Sequence, residues 1–322
     1  MNARILSSLL LALSLPFQVP VCAAQGYPER PIRLVVPYPP GGAADLIGRL
    51  LGKKMADALG QPAIVDNRAG GGQVIGTDIV AKAGPDGYTI LQASITHSIN
   101  PSLVRNLAYD SVKDFTPISL LAQSPLVLVV HPSVPANSVK DLISLAKAKP
   151  NVLNYASSGN GSGGHLALAL LLELTDTKMV HVPYKGAGPA LIDLIAGQVH
   201  LLITSPLAAL PHVKAGKLRL LGVSSKSRTA AMPEVPAISE TVTGYEASLW
   251  YAFLAPGGVP KEIVSKLNAA AKKGLASPDV RAFFDKQGVE VIGSTPGELA
   301  THIRDEIAKW RKVIKAAGIR QG

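Results

Sequence analysis

Cysteine is nearly absent from this chain: Cys22 is the only one in 322 residues, and it lies in an N-terminal stretch read below as removable. A disulfide framework and a thiolate-bound metal are therefore excluded for the remainder. Charge is sparse as well, at 17% against 47% hydrophobic residues, which describes a packed globular protein and not a disordered one. Aromatics make up 5%, and the Lys and Arg residues behind the +10 net charge are scattered. A nucleic-acid surface would concentrate that charge among aromatics. The excess reads instead as a mild positive field suited to small anions or an acidic partner surface. The basic series Lys309, Arg311, Lys312, Lys315 and Arg320 reads as a solvated helix face.

A membrane-spanning apolar run is also missing. Met1-Asn2-Ala3-Arg4 leads into the apolar Ile5 to Leu15, but Pro16 stops the run well short of the roughly 20 residues a span needs. With Ala23-Ala24 following, this is the pattern of a secretory signal peptide, residues 1–24, cleaved near Ala24, and it predicts an exported protein. A lipid anchor would need a small residue before Cys22, where Val21 stands. The remainder, about 300 residues, exceeds one typical core and suits two domains.

Acid–base and metal chemistry lack their residues too. His97, His131, His165, His181, His200, His212 and His302 show no metal-ligand spacing, and no carboxylate pair suggests general acid–base work. No metal, no cofactor and no catalytic residue are expected.

What the chain does have is two glycine-rich elbows, Pro39-Pro40-Gly41-Gly42-Ala43-Ala44-Asp45 and Ser157-Ser158-Gly159-Asn160-Gly161-Ser162-Gly163-Gly164-His165. Each joins a strand-like run to a helix-like run. The first amides of such a helix have no partner within it, the dipole is positive there, and glycine admits a ligand to the main chain. Asp45 reads as a complement to the dipole or as a ligand contact. In Asp66-Asn67-Arg68-Ala69-Gly70-Gly71-Gly72, Arg68 can fork onto a carboxylate or bridge loops. Lys185, in Tyr184-Lys185-Gly186-Ala187-Gly188, can read an anion or stand in solvent.

Two enzymatic readings compete at the second elbow. Gly159, Gly161 and Gly164 satisfy G-x-G-x-x-G, but the next strand ends in His181-Val182-Pro183-Tyr184-Lys185, with no acid for a ribose hydroxyl. Ser162 as a nucleophile would need glycine two residues earlier, where Asn160 stands, and His165 lies on the same helix. An oxidoreductase and an exported hydrolase remain remote alternatives.

Strand-like and helix-like segments alternate through most of the chain, which predicts an α/β protein with mainly parallel sheets flanked by helices. After Pro256-Gly257-Gly258-Val259-Pro260 the chain turns helical, and this terminal section is expected to pack back on the first domain. The extended segments at about 115–130 and 245–255 then become hinge strands between lobe 1 (25–124 and 247–322) and lobe 2 (125–246).

Five strings carry a resemblance: Val36 to Asp45, Asp66 to Gly72, Pro85-Asp86-Gly87-Tyr88-Thr89, Tyr155 to Gly159, and His181 to Gly186, with Lys214 to Arg219 beyond. From Tyr27 to Ile319 the chain closely resembles the Bordetella uptake gene (Bug) family, periplasmic receptors of tripartite tricarboxylate transporters. The resemblance implies a Venus-flytrap binding protein of type II-like build, without catalysis and monomeric. It would capture a small carboxylate and pass it to a two-subunit membrane permease. A sensing receptor for a two-component system is the alternative role.

The implied ligand contacts are Pro40, Gly41, Gly42, Ala43, Ala44 and Asp45 from the first elbow. The second supplies Ser157, Ser158, Gly159, Asn160, Gly161, Ser162 and His165. Bordering turns add Asn67, Arg68, Gly72, Ser94, His97, Tyr184, Lys185, Gly186, Thr204 and Ser205. Many relatives carry an aspartate where this chain reads Leu202-Ile203-Thr204-Ser205-Pro206, so a ligand amino group would lose a counter-charge. A plain carboxylate or dicarboxylate is expected over an amino acid.

Overall fold

The computed structural model describes residues 26–38, 40, 43–184, 187–286 and 288–319. The proposed signal peptide, Gly41, Gly42, Lys185 and Gly186 lie outside them. The first sheet is built from β1 (Ile32–Val36), β2 (Ala63–Asn67), β3 (Thr89–Ser94), β4 (Phe115–Pro125), β10 (Ser248–Pro256) and β11 (Glu290–Val291), in the order β11-β4-β10-β3-β1-β2. The second contains β5 (Val127–Val130), β6 (Asn154–Ser157), β7 (Val180–Pro183), β8 (Leu201–Thr204) and β9 (Arg219–Val223), ordered β7-β6-β8-β5-β9.

The two sheets repeat one plan. In each, three neighbouring strands run parallel, β2-β1-β3 and β7-β6-β8, and a reversed strand follows, β10 in the first and β5 in the second. Both sheets are thus mixed, although most strands in each point the same way. β1 and β6 hold equivalent central places in the parallel triples.

Strand faces explain the layering. In β1 the side chains alternate: Leu34 and Val36 join Ile47, Leu51 and Met55 of α1 (Ala43–Leu59) and Leu267 of α8 (Lys261–Leu275), while Val35 joins the opposite face. Helices cover both faces of β1, and Ile32, Leu34, Val35 and Val36 are fully buried. The core containing Val35 and Leu91 continues through Trp250 and Trp310 to Leu128 of the second sheet and to Leu166 and Leu170 of the helix that follows β6. The bridge is made by α5 (Gly163–Thr175) and α10 (Pro296–Ala316), which pack on each other. The terminal helices thus return to the first sheet, as the chain order suggested. A capping box at Thr295 and Glu298 starts α10, with Pro296 in its first turn, where a missing N–H costs nothing.

The crossings pair with each other. β10 runs antiparallel to β4 from Ser248 opposite Pro125 to Pro256 opposite Phe115. At the junction, Ser224, at the end of β9, is fully buried and its hydroxyl donates to the Ala247 carbonyl at 2.5 Å. Among the described residues no helix is long and apolar enough to cross a membrane.

Candidate functional site

The elbow after β6 is the better described of the two. Its last residue, Ser162, caps α5 by accepting the His165 amide at 3.4 Å. Gly164, in the first turn of α5, lies so close to β8 that a Cβ there would stand 2.2 Å from the Ile203 carbonyl oxygen. Only glycine lets the helix start at this depth. Ser157 is fully buried; its Oγ takes the Gly159 amide at 3.2 Å and sits 2.6 Å from His181 Nε2. The Gly161 amide donates to His165 Nδ1 at 3.0 Å. The amides of Gly159, Gly161, Ser162 and His165 are therefore committed within the protein. Those of Gly163 and Gly164, at the start of α5, have no partner within the helix.

His165 and His181 stack at 3.8 Å between centroids, with Tyr155 against His181 at 4.8 Å. Burial, and then the neighbouring His181, lowers the His165 pKa to about 4; burial lowers that of His181 as well. Ser158 and Asn160 are exposed and make no side-chain hydrogen bond among the described residues. Thr204 is buried at the end of β8, and Ser205 caps α7 (Pro206–Lys214) without a side-chain cap bond.

On the first sheet, α1 begins at Ala43, directly after the elbow, and Pro40 is exposed. The Ala44 carbonyl accepts from Gln92 Nε2 at 2.7 Å. Asp45 is buried and receives Arg49 Nε at 3.0 Å and Asn67 Nδ2 at 2.9 Å. Asn67 also donates to the Tyr38 carbonyl and accepts from Arg49, so it ties the elbow to the end of β2. Arg68 Nε donates to both Asp66 oxygens. These groups shape the loop and are already engaged. Gly72 is left-handed, with φ 63°, and its carbonyl accepts from Asn100.

Ser94 is part of a closed ring of hydrogen bonds. Tyr38 donates to Ser94 at 2.7 Å, Ser94 to Gln73 Oε1 at 3.0 Å, and Gln73 Nε2 to the Tyr38 hydroxyl and to Thr96, each at 2.7 Å. Burial pushes the Tyr38 pKa up. Tyr38, Gln73, Thr96 and His181 were not picked out as site residues by the sequence. Tyr38 and His181 lie inside the motif strings, but Gln73 is placed by a left-handed backbone, φ 74°, after three glycines.

His97 is placed elsewhere than expected. Instead of bordering an open turn, it sits within α3 (Thr96–Leu103), 2% exposed, with Nε2 2.9 Å from the Ser111 carbonyl and Phe115 packed edge-on. Tyr184 is also held: its hydroxyl donates to Asp193 at 2.7 Å, and burial together with that carboxylate pushes its pKa up to about 12. The second elbow meets elements of the first lobe: a Cβ at Gly161 would stand 2.7 Å from Leu103, and one at Gly163 2.8 Å from Leu249.

Two lobes with one strand plan, joined by paired crossings and each carrying a glycine-rich elbow after its central strand, define a hinged solute-binding protein. Comparison with known proteins agrees and is more specific. The chain belongs to the tripartite tricarboxylate transporter family receptors, whose family model matches residues 47–319. It is similar to Protein BugT of Bordetella pertussis, 38% identical over 301 residues and covering 92% of each chain. Among solved structures it is similar to R. palustris Rpa4515 with adipate (TM-score 0.75, 38% identity, 92% of this chain and 100% of that one). It is also similar to MatC from Rhodopseudomonas palustris with bound malate (TM-score 0.71, 33% identity, 89% and 100%). The Bug resemblance read from the motif strings and the two-lobed α/β fold are both found.

Proposed function

We propose that this protein is a periplasmic receptor that captures a small carboxylate, most simply a dicarboxylate, between its lobes and presents it to a tripartite tricarboxylate transporter permease. The observation that carries this reading is the equivalent placement of the two elbows: each lies between the middle strand of its parallel triple, β1 or β6, and the helix that follows, α1 or α5. A ligand carboxylate at each elbow makes its full set of hydrogen bonds only when both lobes reach it. The ligand therefore selects the closed state. The similar structures that hold adipate and malate support the carboxylate class.

Within the second elbow, Ser158, Asn160 and the amides of Gly163 and Gly164 are the ligand groups, with Thr204 and Ser205 beside them. In the first, the backbone from Pro40 to Ala44 serves, while Asp45, Asn67 and Arg68 hold the loop in shape. Lys185 and Gly186, outside the described residues, are candidate contacts from the sequence alone. Residues 1–24 direct export, and the protein acts without catalysis.

A thermal-shift screen of mono-, di- and tricarboxylates, aspartate and glutamate tests the reading. A ligand at 100 times its Kd stabilises the folded state by about 2.7 kcal/mol. A dicarboxylate is expected to raise Tm. Tight aspartate or glutamate binding without any response to plain dicarboxylates would refute the ligand class, and silence towards every acid would refute the receptor reading.

A further inference from the structure

We propose that the stacked pair His165 and His181 is the positioning element of the second elbow, holding it in a ligand-competent shape only while His165 is uncharged. The inference rests on the receptor reading above and concerns residues that need not touch the ligand.

The elbow's own hydrogen bonds converge on Gly159, whose carbonyl accepts from the Ser162 amide at 3.2 Å and from Ser157 Oγ at 3.1 Å, and none of them reaches the Gly161 amide. Gly159 and Gly161 have φ of 132° and 72°, and glycine has no intrinsic preference for one sign of φ. Further ties are therefore needed to select the shape, and two of them run through the histidine rings. His181 Nε2 meets Ser157 Oγ, which takes the Gly159 amide; His165 Nδ1 takes the Gly161 amide. Both ties end on the segment that presents Ser158, Asn160 and the start of α5.

Charge matters because of the atom involved. A ring nitrogen that accepts an amide cannot carry a proton, so His165 is the neutral tautomer protonated at Nε2. A second proton would set Nδ1–H against the Gly161 N–H across the present 3.0 Å. His181 tolerates a proton better, since Nε2–H can still donate to Ser157. With both rings charged, the stack at 3.8 Å would bring two cations face to face.

Solvent reaches the pair. A cavity of about 660 Å³ is lined by Tyr155, Asn160, His165 and His181. Among the described residues its charged lining is Glu173 and Asp176 at the far end of α5 and Lys178 ahead of β7, while the end of α10 and the residues after it contribute Ala316, Ala317, Gly318 and Ile319. β6 supplies Tyr155. No carboxylate is hydrogen-bonded to either ring among the described residues, so a proton on His165 has no ion-pair partner waiting.

The test has two arms. In the first, ¹⁵N–¹H correlation spectra of the ligand-free protein at pH 7 report the His165 tautomer, with Nε2–H expected; an Nδ1–H tautomer overturns the proposal whether or not any acid binds. In the second, malate and adipate are titrated calorimetrically into wild type, His165→Leu and His165→Asn. Asn offers an amide oxygen where Nδ1 stood, whereas Leu fills the space without an acceptor. Leaving the Gly161 amide unpaired is expected to weaken binding by about tenfold or more in His165→Leu, with most of the loss restored in His165→Asn. Equal loss in both variants, or none in His165→Leu, overturns the positioning role. If His165→Leu does not fold, the comparison of wild type with His165→Asn decides. From pH 6 to pH 4 wild type should lose affinity more steeply than His165→Asn, the ligand's own protonation being common to both. Parallel profiles overturn the dependence on charge. If neither acid binds wild type while the tautomer is Nε2–H, the choice of ligand has failed and the positioning proposal stands on its first arm.

Discussion

Leu126 and Ser224 are bonded to each other twice: the Leu126 amide donates to Ser224 Oγ at 2.8 Å, and the Ser224 amide donates to the Leu126 carbonyl at 2.8 Å. Leu126 joins β4 to β5 and Ser224 ends β9, so one hydroxyl stitches together the two crossings between the lobes. Ser224→Ala leaves a buried amide without its acceptor. We expect a stability loss of about 1–3 kcal/mol in urea denaturation. Under the proposed closure of the lobes about this junction, a second effect on ligand affinity is expected. A variant as stable as wild type would show that the junction does not depend on this serine.

Glycine at 164 is set by contact with backbone. Because the Ile203 carbonyl cannot swing aside, Gly164→Ala must displace α5 from β8, at about 1–3 kcal/mol or more for overpacking. Gly297, in the first turn of α10, has nothing within 4 Å of the point where an alanine methyl would stand. Gly297→Ala is therefore expected to gain up to about 1 kcal/mol from helix propensity. Paired denaturant midpoints check the contrast, and a harmless Gly164→Ala would contradict the packing described.

Acid should destabilise the protein through two histidines. His97 and His165 both have a pKa lowered to about 4, His97 by burial despite its bond to the Ser111 carbonyl. Each is neutral when folded and near 6.5 when unfolded. The associated stability is fully present above pH 6.5 and is lost as pH falls towards 4, on the order of 3 kcal/mol for each. Urea midpoints at pH 7.5 and 4.5 measure it. His97→Gln, which keeps a donor for Ser111, should flatten part of the slope; an unchanged slope would remove His97 from the account.

Affinity and stability should separate between the free and the engaged polar groups of the elbows. Ser158→Ala and Asn160→Ala remove exposed, unpaired side chains, so Tm should stay within about 1 °C while Kd for a bound dicarboxylate rises, by about fivefold for a lost hydrogen bond. Asn67→Ala breaks the ties to Asp45, Arg49 and the Tyr38 carbonyl, and should lower Tm first. The reverse pattern would exchange the roles given to these residues.

The alternation of elements, both elbows and the terminal helices were legible because apolar period, glycine and N-terminal proline are local signals. The helix Thr96–Leu103 was not. Its polar start and internal Pro101 look like a loop, so His97 was expected at an open turn, whereas the helix turns it inward. Asn67, Arg68 and Tyr184 had suitable chemistry for a ligand, but their partners Asp45, Asp66 and Asp193 are chosen by tertiary geometry. Tyr38, Ser94, Gln73 and Thr96 form a ring that spans 58 positions of sequence and has no local signature. The His165–His181 stack likewise depends on β7 lying beside β6.

The place of β10 has a consequence for how the chain is made. It lies between β3 and β4 and pairs with both, yet it begins at Ser248, long after Pro125 ends β4. A nascent chain ending anywhere before that strand holds the first half of its first sheet with an unfilled slot and two unsatisfied edges. The N-terminal lobe therefore cannot mature ahead of the second one in the usual order of synthesis. Its open slot is filled only by the strand that returns from its neighbour, and β11 and the terminal helices are added after that.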